Sequence, residues 1–367
     1  MVTVLTRTIG PTGRDYASFT LAEADVANIG TSGDLVANDE AIVFEADAGN
    51  YSETLNFDTS GGLTCDATRN VTWTHATGAG HGGQFESGAN LVGGCTIRED
   101  HAVVDGLSVS PSSGGAAGIF GGPEGVFLRN MMVYSTNSYA IRLNEAATAA
   151  FPGVVENCVC KSDSFRPFDI RSEGSGVDAH WRVINTTVFT AGTNVAFQVG
   201  SSSSDTLYLE LTNVLVLGPR AFFDFGGATL VLTGSNNFGG VDNPFPAALQ
   251  GSPYPITATT NTSPGPGDFA IYDATTGALI DSPENDVLDQ GVGPAVNSDV
   301  PTTDILGVTR SGATADPGAF EIVAVVPPTT DDGLPFPSGI RGAALRGLGI
   351  RGLAIRGRHL RGPSRQE

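Results

Sequence analysis

Five segments of this chain share an alternation of apolar and polar positions that reverses its parity at one residue. They are 102–109, 126–133, 153–160, 181–188 and 209–216, and the residue at the reversal is Gly106, Asn130, Asn157, Asn185 or Asn213. Counting that residue as zero, positions −4 and −2 are mostly apolar: Ala102/Val104, Val126/Leu128, Gly153/Val155, Trp181/Val183 and Leu209/Leu211. Beyond it the set moves to +1 and +3: Leu107/Val109, Met131/Val133, Cys158/Cys160, Thr186/Val188 and Val214/Val216. A period of two is a strand signal. The slip in phase means that the chain turns there while keeping one face inward. Asn and Gly tolerate the left-handed backbone that such a turn needs. A looser sixth copy occupies 230–238.

A second series precedes the first. Ala117-Gly118-Ile119, Ile141-Arg142-Leu143, Phe168-Asp169-Ile170, Phe197-Gln198-Val199 and Phe223-Asp224-Phe225 share an apolar-x-apolar form, spaced by 24, 27, 29 and 26 residues. The turn residues advance with them, by 24, 27, 28 and 28 and then by a loose step of about 23. Two registers advancing together are what a solenoid requires, because each coil delivers the same strands to the same faces. The expected fold is all-β: a right-handed parallel β-helix over 36–250, right-handed because parallel crossovers almost always are. Asn130, Asn157, Asn185 and Asn213 should stack as a ladder of side-chain amides. Cys158 and Cys160 should point inward as small core residues.

The open end of a solenoid is an exposed sheet edge and needs a cap. Within 1–35, Thr20-Leu21-Ala22-Glu23 reads as a capping box and Gly30 as a stop, predicting a short helix over 21–28 after an N-terminal strand. Ile42-Val43-Phe44, Leu55-Asn56-Phe57 and Val71-Thr72-Trp73 read as strands of the opening coils. After residue 240 the composition shifts to Pro, Thr, Gly and Asp. Residues 251–325 should form an irregular closing coil, and 326–367 a linker and tail.

Bulk properties narrow the classes. Gly (49) and Pro (21) are frequent and charged residues only 16%, which suits short strands and tight turns rather than long helices. Residues 340–367 hold seven Arg against Glu367, so the tail carries +6 and the remainder −26 of the net −20. An acidic body argues against a nucleic-acid partner. The four Cys make no zinc pattern, and no cofactor or metal is expected. The first thirty residues lack a leader, and no stretch reaches the roughly 20 apolar residues of a membrane span, so folding in a reducing cytosol is the expectation.

Two stretches resemble a known pattern. Leu288-Asp289-Gln290-Gly291, Thr303-Asp304-Ile305-Leu306-Gly307-Val308-Thr309-Arg310 and Asp316-Pro317-Gly318-Ala319-Phe320-Glu321 are similar to the closing run of parallel β-helix proteins of the pectate-lyase-like superfamily from bacteria and phages. Gly13-Arg14-Asp15-Tyr16, Leu21-Ala22-Glu23-Ala24 and Asp34-Leu35-Val36 resemble the opening of bacteriophage virion β-helix proteins. The resemblance implies a closing segment rather than an active site, with Arg310 paired to Asp316 or Glu321. By analogy it also implies a homotrimer.

The tail repeats every five residues: Ile340-Arg341, Leu345-Arg346, Ile350-Arg351, Ile355-Arg356 and Leu360-Arg361, each followed by Gly. Five pentads are too few to bury a core alone. They read as a docking peptide with Leu or Ile as anchors and Arg as charged contacts, or as a basic tail lying on the acidic body.

Chemistry, if there is any, belongs on the outward row of the second series: Gly118, Arg142, Asp169, Gln198 and Asp224. At about 4.8 Å per coil, Asp169 and Asp224 would stand on the order of 9–10 Å apart, near the upper limit for inverting glycoside hydrolysis. Arg142 and Arg171 flank Asp169, which suits a base and not an acid of raised pKa. Lys161 is the only Lys, so the base-and-calcium set of a polysaccharide lyase is not matched. His180 reads as a surface residue. The functional expectation is a non-enzymatic bacteriophage virion protein (capsid decoration, head fibre or tail-fibre component) docked on other virion proteins through 340–367. A host surface glycan is a second expected partner. The alternatives are a tailspike-like hydrolase or lyase using Asp169, Asp224 and Arg142, and a bacterial surface adhesin.

Overall fold

A computed structural model of the chain describes residues 1–321, apart from 31–32, 59–62, 112–118, 122, 145–147, 173–177, 191–193, 202–204, 219, 228, 240–244, 251–289 and 311. It is a parallel β-helix. Three parallel sheets run the length of the body, one of nine strands and two of seven, each with its neighbours one coil apart in sequence. A representative coil passes from Gly153–Glu156 in the first sheet to Val159–Ser162 in the second and Phe168–Ser172 in the third, then returns to the first at Ala179–Ile184.

The parity reversal is a corner between the first and second sheets. Asn130, Asn157, Asn185, Asn213 and Asn236 have φ between 46° and 57°, and Gly106 has φ 70°. Val155 before the corner and Cys158 after it are both fully buried in one core. For a residue with a Cβ, left-handed backbone costs roughly 1–2 kcal/mol, least for Asn because its short side chain can bond locally. The return on that cost is an apolar interior on both sides of the turn. Cys158 and Cys160 lie in it, and burial pushes both thiols up.

Side chains stack from coil to coil. The Phe44 and Trp73 rings stack at 4.2 Å, and those of Phe168 and Phe197 at 4.7 Å. Gly153 occupies an apolar position because the Trp181 ring of the next coil fills it: a Cβ there would lie 2.0 Å from the ring.

The N-terminal strand Thr3–Ile9 extends the first sheet, and the helix Phe19–Asp25 follows. The cap is Ser18, two residues before the expected Thr20, and its hydroxyl accepts from Leu21 N–H. Glu53 supplies what a capping box would, taking the N–H groups of Phe19 at 2.6 Å and Thr20 at 3.0 Å. Glu23 accepts instead from the backbone of Asn56 and Asp58 and so ties the helix to the third sheet. Phe19, Ala22 and Val26 are buried in the main core. The opening motif residues have structural partners as well. Arg14 clamps Asp47 at 2.6 and 2.7 Å, Tyr16 donates to Asp25, and Asp34 caps Leu35–Asn38.

Residues 290–321 were expected within a closing coil. Their described part does not stack on the last coil; it lies as a strap along the Asn corners and the outer side of the second sheet. Asn213 bonds Val292 through both atoms of its amide, at 2.7 and 2.8 Å, and Asn157 donates to Thr303 O at 2.8 Å. Ile305, Ala319 and Phe320 join Phe85, Met132, Val159, Phe189 and Leu215 in a second apolar cluster. The second sheet is therefore buried on both faces. That explains outward residues as apolar as Met132, Val159 and Leu215.

The loop before Ala89 covers the ladder's other end. His81 is 5% exposed; its Nε2 lies 2.7 Å from Asn130 O, and its Nδ1 accepts from Gly83 N–H at 2.9 Å. This is a neutral imidazole, and burial lowers its pKa below 6.5. The unfolded chain therefore binds the proton more readily than the folded one. The stability contribution is complete above the unfolded value of about 6.5 and is lost as pH falls below it. Urea-unfolding midpoints taken from pH 7.5 to 5 should fall in the wild type, and the fall should be smaller in His81→Gln.

Candidate functional site

The outer face of the third sheet carries the sequence-predicted row, with its register corrected at both ends. Cα pairing aligns Phe120, Arg142, Asp169, Gln198 and Phe223. Phe120 replaces Gly118, and Phe223 replaces Asp224. At the far end Phe222 takes the inward place beside Phe197, one residue before the Phe223 that the apolar-x-apolar pattern predicts. Phe222 is 6% exposed, whereas Phe223 is 44% and Phe225 37% exposed.

Asp169 is fully buried. Its carboxylate lies 3.3 Å from Arg142 Nε and 2.8 Å from Arg171 Nε, and Gln198 donates to it at 3.3 Å. Both guanidinium groups and the Gln198 amide thus point at one carboxylate, which is taken up in the packing of the sheet. Asp224 lies on another row, is exposed, and accepts from its own Gly226 N–H at 2.7 Å. The expected carboxylate pair with water between its members therefore does not form from Asp169 and Asp224. What the face does present is rings and guanidinium groups together. Arg171 lies over the Phe225 ring at 5.4 Å, Arg142 over Tyr139 at 5.8 Å and Arg166 over Phe165 at 5.1 Å. Tyr139 meets Phe165 edge to face at 4.7 Å. On a body of net −26, this is a locally basic, aromatic surface.

The outer face of the first sheet holds the other unusual carboxyl. Glu156 sits in register with Arg129, which pairs with Asp105 at 3.0 Å. Burial dominates over the nearby Arg129, Arg182 and Arg310 and pushes Glu156 up to about 7. His180, expected at the surface, is half-buried and stacks on Tyr208 at 4.2 Å. Nothing in the sequence distinguishes Glu156 from any other outward residue of its row; only the coils packed on both sides remove its water.

Arg310 is a structural residue. It pairs with Glu321 at 3.3 Å and takes from Asp316 the backbone carbonyl, at 3.1 Å. The tail positions Ile340, Arg341, Leu345, Arg346, Ile350, Arg351, Ile355, Arg356, Leu360 and Arg361 lie outside the described residues. Among the described residues no three His, Cys, Asp or Glu side chains gather as metal ligands, and no helix is long and apolar enough to cross a membrane. Comparison with protein-family models, with curated proteins and with solved structures finds no match.

Asp169 is the fully buried partner of two partly exposed Arg, so replacing it removes the charge that holds both guanidinium groups in place. Asp169→Asn should lower unfolding free energy by about 2 kcal/mol, the scale of lost hydrogen bonds to a charged group. Asp224→Asn should change it by less than about 0.5 kcal/mol. Urea denaturation of the two variants checks the contrast.

Proposed function

We propose that this protein is a non-enzymatic structural component of a bacteriophage particle, a capsid decoration, head fibre or tail-fibre protein related to the pectate-lyase-like β-helix proteins. The observation that carries the reading is the commitment of Asp169. The carboxylate best placed for catalysis on the outward row is fully buried and clamped by two partly exposed arginines, and its supposed partner lies on a different row. Stacked coils make a stiff spacer, and the Arg-Gly pentads supply a separate means of attachment, with Leu and Ile as anchors. Assembly takes place in the host cytoplasm and the mature location is the virion. Trimer formation belongs to the same proposal. Deleting 340–367 should abolish incorporation into particles while leaving the body folded; truncated protein that still co-sediments with purified particles would count against the docking role.

A second reading is favoured by the exposed Phe223 and Phe225 beside Arg171. Apolar rings with guanidinium groups suit a carboxylated host-surface glycan, bound and not cleaved, since ring faces cover the sugar and Arg takes the acid. Binding of an acidic capsule oligosaccharide, followed by calorimetry, should weaken at least about tenfold in Phe225→Ala, without release of reducing ends. Release of reducing ends that Asp169→Asn abolishes would favour the tailspike-like hydrolase.

A further inference from the structure

The strap of residues 290–321 is attached to the solenoid in a way that none of the coils is. Its short ribbon, Gly291–Val292 with Thr314–Ala315, is a separate antiparallel pair and joins none of the three parallel sheets. It also carries its own internal hydrogen bonds. Asp304 accepts from Leu306 and Val308 N–H through one oxygen and from Glu321 N–H through the other, and Glu321 accepts from Asp316 N–H at 2.9 Å. Its contacts with the body are lateral: side-chain amides of the corners, Ala319 N–H donating to the Thr187 hydroxyl at 2.9 Å, Gly318 N–H donating to Asn213 O at 2.7 Å, and Arg182 pairing with Asp299 at 2.6 Å.

One buried cation spans the join. The Arg310 side chain is 0% exposed. Toward the strap it binds Gly318 O at 3.0 Å, Asp316 O at 3.1 Å and the Glu321 carboxylate. Toward the body it binds Asn157 Oδ1 at 3.0 Å, and the Asn185 amide oxygen, turned to face it, lies 2.9–3.1 Å from all three guanidinium nitrogens. A guanidinium out of water is tolerated only while such acceptors surround it. Withdrawing the strap would take Arg310 away from Asn157 and Asn185 and cost the apolar contacts of Ile305, Ala319 and Phe320. It would break no hydrogen bond between coils.

We propose that the strap is a latch keyed by Arg310: it opens as a unit from an intact solenoid and uncovers the apolar outer face of the second sheet, including Met132, Val159, Phe189 and Leu215. The opened state is a sub-global one, with the coils still paired.

Hydrogen exchange of the full-length protein in low urea, read by mass spectrometry, tests this. Peptides covering 290–321 should exchange through one shared opening at a lower urea concentration than peptides around Val155, Val183 and Leu211. In Arg310→Met, strap exchange should be roughly a hundredfold faster, the factor for removing one partner of a buried ion pair. Binding of an anilinonaphthalene-sulfonate dye should rise while the coil peptides stay protected. Strap and coils losing protection at one common urea midpoint would overturn the latch, as would unchanged strap protection in Arg310→Met. If Arg310→Met does not fold, the wild-type exchange pattern decides alone.

Discussion

A solenoid coil has to carry its chain around a corner without turning its apolar side chains outward, and here one residue per coil does it. With φ near 50° at Asn130, Asn157, Asn185 and Asn213, the strand before the corner and the strand after it use opposite sequence parity and still face a common interior. All else is registered to that corner. Once the corners stack, the three sheets pair in parallel, Trp181 lies against Gly153, and the phenylalanines of the third sheet stack ring on ring.

The corner asparagines also do work that a simple amide ladder would not. Asn157 donates to Asn130 at 3.3 Å, and the Asn185 and Asn213 amides lie 3.1 Å apart. Beyond those contacts, Asn130 donates to Asp105, while Asn157, Asn185 and Asn213 bond the strap, the first two through Arg310 among its residues. A row of amides spaced by the coil rise resembles a sheet edge made of side chains, and an extended segment can bond to it as it would to a strand. The sequence-remote residues 290–321 thus become part of the body although they contribute no coil.

The electrostatics divide in the same way. Asp169 and Arg310 are opposite solutions to one problem, an ion removed from water and surrounded by partners. Glu156 is the exception: the positive groups near it do not outweigh burial, so its carboxyl is pushed up to about 7. The commitment of Asp169 to structure is what supports the proposed spacer role.

The coils, their inward residues and the left-handed corners were legible in the sequence, because a period of two with one phase slip per repeat leaves few other folds open. The charge of the tail and the capping helix were legible too, the helix to within two residues at its start. The end of the third sheet was not: Phe222 and Phe223 are equally apolar, and only pairing with Phe197 and Gln198 decides which one faces in. Nor was the strap's position legible, since its contacts depend on side chains 79 or more residues away, such as Asn213 with Val292 and Asn157 with Arg310. Local periodicity determines which residues a strand buries. Which segment covers the second face, and which charges lose their water, is decided only when distant coils are brought together.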